Sequence, residues 1–202
     1  MGESVYQDFP WRKTSNLFHA LTAEIFLQRT RVNQVIPVYL QFTARYNSPA
    51  DVIGDGKRIY QKMLVSLGLS WRIPVFVDLC QSLVRDHSNI VPDQMDSLLS
   101  LPGIGDYIAS AYLCFHHNKQ LPVVDTNTVR FIGRFFGWRS NSESRRNKKF
   151  RTILFDLVPE RNSRRFNLGL LDFSMTICGV NPKCAMCLVR RKCKYYSLMT
   201  NK

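Results

Sequence analysis

Apolar residues recur at helical rather than alternating spacing through nearly the whole chain. Residues 16–30 (NLFHALTAEIFLQRT) put Leu17, Leu21, Ile25 and Gln28 on one face. Residues 33–46 predict a second helix with Pro37 in its first turns. Residues 51–67 and 74–86 read as two further amphipathic helices, separated by Gly68-Leu69-Ser70. A short helix is expected over 93–99, with Asp93 placed to cap it. Leu101-Pro102-Gly103-Ile104-Gly105 interrupts, and the helical pattern resumes over 106–116. Residues 121–124 read as extended, and 125–136 as a helix stopped by Gly137. The polar, basic stretch 140–149 predicts a loop, and 150–157 and 163–178 the last long helices. No run predicts a β-hairpin and no segment repeats. The expected class is all-α.

Composition narrows the function. Of 202 residues 45% are hydrophobic, enough for a packed core, and no apolar run reaches the ~18 residues of a membrane span. The opening MGESVYQDFPWRK has no apolar signal core. A cytoplasmic, nucleoid-associated monomer without membrane contact is the expectation. The net charge of +13 favours a polyanionic partner. That excess is concentrated: from Arg139 onward there are 15 Lys and Arg against 4 Asp and Glu.

Cys80 and Cys114 lie in apolar stretches and read as core residues. Cys178, Cys184, Cys187 and Cys193 crowd into 16 residues, which points to a metal or a cluster rather than disulfides. Spacing alone leaves zinc and iron–sulfur both open, although zinc sites typically use two Cys-x2-Cys pairs and only one is present.

The pentapeptide at 101–105 has two glycines two residues apart, immediately before a helix. Glycine allows a tight turn and close approach of the backbone to a surface. The helix start that follows presents N–H groups suited to a phosphate. A plain turn between two helices would look the same. The basic balance of the chain favours DNA binding through Gly103, Ile104 and Gly105.

LPGIGDYIASA, then VVDTNTVRFIGRFFG, then the four-cysteine tail, together resemble the helix-hairpin-helix/Gly-Pro-Asp DNA glycosylases, relatives of endonuclease III and the adenine glycosylases. The likeness runs from DFPWR (8–12) to Lys194-Tyr195-Tyr196. Residues 166–174 and Tyr107 are most similar to thymine glycosylases acting on T:G mismatches. The resemblance implies a two-lobed endonuclease III-like fold that grips double-stranded DNA carrying a mismatched or damaged base. Residues 20–130 would form a helical barrel lobe with the hairpin. Residues 1–19 and 131–202 would form a cluster lobe, with a [4Fe–4S] loop at 178–193.

The chemistry follows. Breaking an N-glycosidic bond leaves a positively charged, oxocarbenium-like sugar, which a fixed carboxylate can stabilise while activating water. Asp125 opens a helix after a short apolar run, where the family carries its catalytic aspartate. Capping that helix is its simpler role, and the two are compatible. Glu24 sits on an apolar helix, where an unused carboxylate is costly. The resemblance places it in the base pocket. Tyr107 stands where nicking relatives carry a Schiff-base lysine, which implies base release without strand cleavage. Gln28 would fill the vacated stack and Arg29 would read the orphaned guanine. Leu69 matches a second wedge, although Trp71-Arg72-Ile73-Pro74 after it departs from the family pattern. The four cysteines resemble the family's cluster ligands, with a first spacing one residue shorter than usual.

The implied activity is a monofunctional glycosylase removing thymine or uracil opposite guanine. One alternative is an adenine glycosylase acting opposite guanine or 8-oxoguanine. It is disfavoured by Leu168 after Asn167 and by the few residues that follow Cys193. Another is a non-catalytic damage sensor.

Overall fold

The computed structural model describes residues 7–68 and 70–200, with the side chains of 57–59 and 142 left aside. Leu69 lies outside the described residues. The described chain is all-helical, with eleven α-helices, short 3-10 turns and no strand. It divides into two compact units, Asp8–His117 and the stretch from Asn118 onward joined by Gln7.

The first unit is built on α1 (Leu17–Phe26), α2 (Val32–Arg45), α3 (Pro49–Gly54), α4 (Lys57–Ser66), α5 (Ile73–Asp86), α6 (Met95–Leu99) and α7 (Asp106–His117). Asn16 starts α1 by accepting hydrogen bonds from the amides of Phe18 and His19. The helix is buried on every side from Ala20 to Phe26, so it forms the middle of this unit and not an amphipathic edge. The period seen in the sequence runs to Gln28, but the helix ends at Phe26 and Arg29 turns into the left-handed region at φ 60°. Phe26, Phe42 and Phe76 pack ring to ring from α1, α2 and α5.

The single helix expected over 51–67 is two. Gly56, at φ 74°, separates α3 from α4. Just before it, the Asp55 carboxylate accepts from Nε and Nη2 of Arg45 and from the hydroxyl of Tyr46, each at 2.6 Å. Asp93 does not cap α6. Gln94 takes the N-cap position, and the Asp93 carboxylate instead accepts from the Gln94 side-chain amide at 3.1 Å. Cys80 and Cys114 are buried as expected.

The second unit contains α8 (Thr126–Phe136), α9 (Lys148–Leu157), α10 (Ser163–Thr176) and α11 (Lys194–Thr200). Its core packs Val129 and Ile132 of α8 against Phe150 and Leu154 of α9, with Trp138 and Leu170 at the margin. Gly137 ends α8 in the left-handed conformation, as the sequence predicts. Gly133 is required by packing, because a Cβ there would meet the backbone oxygen of Trp138 at 3.0 Å and Ser140 Oγ at 2.6 Å. The expected loop over 140–149 contains a 3-10 turn, Ser142–Arg146, and the start of α9. The sequence reading did not foresee α11.

Candidate active site and cysteine loop

Asp125 is the N-cap of α8, in extended backbone at φ −110°. Its Oδ1 accepts the Thr128 amide at 2.7 Å, and its own amide donates to Thr128 Oγ1 at 3.0 Å. Its Oδ2 accepts a 2.6 Å hydrogen bond from Asn127 Nδ2. The residue is half-buried, not sealed inside. Two donors therefore fix the carboxylate at the positive end of a helix while a side remains reachable. Capping and catalysis are compatible in this geometry, because each oxygen keeps a second lone pair.

The approach to Asp125 is held by Asn167, which is 1% exposed. Its Oδ1 accepts the buried Val123 amide at 3.0 Å, and its Nδ2 donates to Leu121 O at 3.1 Å and Ser163 O at 3.0 Å. These bonds fasten 121–123 to α10 and set where α8 begins. The 121–124 segment forms no strand.

Arg130 and Arg134, one turn apart on α8, face the cysteine loop. Arg130 donates to Asn127 Oδ1 at 3.0 Å, Ser174 O at 2.8 Å and Cys178 O at 3.0 Å. Arg134 donates to Gly179 O at 2.6 Å and Val180 O at 2.9 Å, and its Nη1 lies 3.6 Å from Cys178 Sγ. Cys193 Sγ lies 3.6 Å from Arg134 O. One helix thus carries Asp125 at its start and grips the cysteine loop along its side. Asn127, Arg130 and Arg134 were not singled out from the sequence. Their spacing of three and four residues on one helix face was the signal available.

All six cysteines are free thiols. Cys178, Cys184, Cys187 and Cys193 are each half-buried and line one pocket with Phe131, Ile177, Pro182, Tyr195 and Tyr196. Burial pushes the Cys187 thiol up, and the other three cysteines press the same way, so the four sulfurs share one environment. Among the described residues no group of three or more His, Cys, Asp or Glu side chains is placed to hold a metal ion. A mostly apolar pocket ringed by four thiols fits a multi-atom thiolate-bound group.

In the first unit, Glu24 is 4% exposed on buried α1. Burial lifts its carboxyl to about 7, against a smaller opposing pull from the Arg12 guanidinium. It is therefore poised to hold or release a proton near neutral pH. The hairpin turns at Gly103, φ 76°, where a Cβ would strike Val75 Cγ1 at 2.6 Å. Gly105 has open space around its Cβ direction. Both glycines are exposed, whereas Ile104 points its side chain into the core and donates its amide to Leu101 O at 3.2 Å. Tyr107 is half-buried in the first turn of α7. Gln28 is half-buried and Arg29 exposed, in the turn after α1.

A profile of HhH-GPD superfamily base excision DNA repair proteins matches residues 22–155. The thymine/uracil-DNA glycosylase of Methanothermobacter thermautotrophicus is 35% identical over 192 residues, covering 94% of this chain and 87% of that protein. A solved thermostable thymine-DNA glycosylase superposes with a TM-score of 0.86 at 35% identity, over 95% of this chain and 89% of that one. Endonuclease III in a non-covalent DNA complex superposes at 0.82 with 20% identity, over 98% of this chain and 91% of that one, a likeness of fold.

Proposed function

The chain belongs to the HhH-GPD superfamily and is a base excision repair DNA glycosylase of endonuclease III-like fold; we propose that it removes thymine or uracil mispaired with guanine, leaving the strand uncut. The observation that carries this reading is the Asp125 carboxylate, oriented by two hydrogen bonds and still reachable.

In this reading the mispaired base is extruded from the duplex, which costs a few kcal/mol and less at a mismatch than at a Watson–Crick pair. As the bond to the base lengthens, positive charge grows on the deoxyribose, and the Asp125 carboxylate stabilises it. A water that Asp125 orients and deprotonates then bonds through its oxygen to the anomeric carbon, while the base leaves with the electron pair of the broken C–N bond and is protonated. Within its own unit Glu24, with its proton exchangeable near neutral pH, is the group proposed to hydrogen-bond the base or position a water. Tyr107 offers no amine, so no Schiff base forms and the product is an intact strand with an abasic site. Gln28 fills the vacated stack and Arg29 reads the orphaned guanine.

Gly103 and Gly105 let the hairpin backbone come close to a phosphate, while the core position of Ile104 leaves it a supporting role. Cys178, Cys184, Cys187 and Cys193 would hold a [4Fe–4S] cluster, which supplies structural order to a basic loop that meets the DNA backbone. Among the described residues no helix is long and apolar enough to cross a membrane. The proposed setting is a cytoplasmic, nucleoid-associated monomer acting on double-stranded DNA that carries a mismatched or damaged base.

The test is a panel of duplexes carrying G:T, G:U, G:A and 8-oxoguanine:A, developed with and without hot alkali. Release at G:T and G:U, visible only after alkali, is the expected result. Release confined to the adenine pairs would replace thymine and uracil with adenine. Strand breaks without alkali would refute the monofunctional assignment.

A further inference from the structure

The turn after α1 and the turn before α5 lie side by side. Thr30 Oγ1 donates to Leu67 O at 3.4 Å, and burial, with a smaller push from the Arg29 cation, disfavours the charged form of Arg72. On the second turn Trp71 is 61% exposed, with the Arg72 guanidinium stacked over its ring at 4.4 Å. Arg72 Nη1 is buried with no hydrogen-bond partner among the described residues. Arg29 adopts a left-handed backbone at φ 60°, which a non-glycine residue rarely does. Two cations therefore lie near an indole that Arg72 covers on one side and that is otherwise largely exposed. The sequence around them adds no relief, because 25–50 and 56–77 contain Lys and Arg but no Asp or Glu.

Such a patch is costly for the isolated protein. Like charges repel, a guanidinium nitrogen lacks an acceptor, and a large aromatic face sits in water. A ligand that brings negative charge and a flat π-face offsets the charge repulsion and the exposed aromatic face. Nucleic acid has both, and indole and guanidinium are the groups on which bases stack. Extrusion of one base leaves its neighbours with uncovered faces, which gives the indole a surface to cover.

We propose that Trp71, backed by Arg72 and Arg29, is a stacking platform for a nucleobase exposed when the target base leaves the duplex. The inference rests on the DNA glycosylase reading above, but adds a contact at the position where the sequence departs from its family. Arg72 sets the plane of the indole and meets the backbone phosphate, and Trp71 covers the base. The platform acts by covering the exposed base in the bound complex, and takes no part in bond cleavage.

The test compares the wild type with Trp71→Ala, Trp71→Phe and Arg72→Ala. Binding is read by fluorescence anisotropy on a G:T duplex at several salt concentrations. A 2-aminopurine next to the mismatched thymine reports stacking. Trp71→Ala should weaken binding by roughly ten-fold or more, with an unchanged salt slope and 2-aminopurine left bright. Trp71→Phe should recover most of the affinity and the quenching. Arg72→Ala should lower the salt slope by about one ion. Unchanged circular dichroism and melting for each variant exclude unfolding as the cause. Wild-type affinity and quenching in Trp71→Ala would overturn the platform while base release by the same protein upheld the glycosylase reading. If instead the wild type bound the duplex without releasing any base, the glycosylase reading would fail and the anisotropy series would still decide the platform.

Discussion

Asn127 donates a 2.6 Å hydrogen bond to the Oδ2 of Asp125, and is itself held by Arg130, whose guanidinium ends on the carbonyls of Ser174 and Cys178. The carboxylate that opens α8 is thus steered by a side chain anchored in the cysteine loop. Removing Asn127 leaves Asp125 its helix cap but frees one oxygen to rotate. Asn127→Ala should lower single-turnover base release by about ten- to a hundred-fold while DNA affinity is retained, because small misplacements at a reacting centre are costly. Unaltered single-turnover rates would show that the capping bond alone orients Asp125.

Capping and catalysis at Asp125 separate by substitution. Asparagine caps a helix as well as aspartate does, so Asp125→Asn should melt close to the wild type. Asp125→Ala should lose about 1 kcal/mol of stability. Calorimetry on both variants checks this. A large loss in Asp125→Asn would mean that the charge itself holds the start of α8.

Glu24 gives a pH signature. Its folded carboxyl lies near 7, above the ordinary value of 4.5. Between those values the folded state binds more protons than the unfolded state, so stability falls as pH rises through this window and then levels off. Glu24→Gln removes the effect. The variant should melt like the wild type at pH 4 to 5, where both are neutral, and at higher temperature than the wild type at pH 8. It should also lose base release. A wild-type curve parallel to that of the variant across this range would contradict the burial argument.

The cysteine loop depends on Arg134, which closes on Gly179 O and Val180 O beside Cys178. Arg134→Met keeps the length of the side chain and removes its donors. The purified wild type should be brown and carry iron near four atoms per chain. The variant should carry less iron and bleach faster in air. A colourless wild type with stoichiometric zinc would refute the cluster, and equal iron in both proteins would remove Arg134 from its support.

Much of this was legible locally. Gly137 and the capping residue Asp125 bound α8 from neighbouring residues alone, and both appear as the sequence predicts. Boundaries decided by distant or competing partners were not. The period of α1 continues past Phe26, but the chain leaves the helix to form the turn at Arg29. Asp93 is a good cap by type, yet its carboxylate is taken by Gln94. Ile104 shares a pentapeptide with the two glycines, but only packing shows that its side chain turns inward. Arg130 gains its role from carbonyls 44 and 48 residues away, which no local pattern reveals.

In the proposed reading, breaking the glycosidic bond depends on the carboxylate of Asp125. Single-turnover release of thymine from a G:T duplex, measured with enzyme in excess for the wild type and Asp125→Asn, tests it most directly. Both proteins should bind tightly, and the variant should release thymine at least about a thousand-fold more slowly, of the order seen for removal of a key electrostatic group. Thymine release by Asp125→Asn at a rate close to that of the wild type would contradict it.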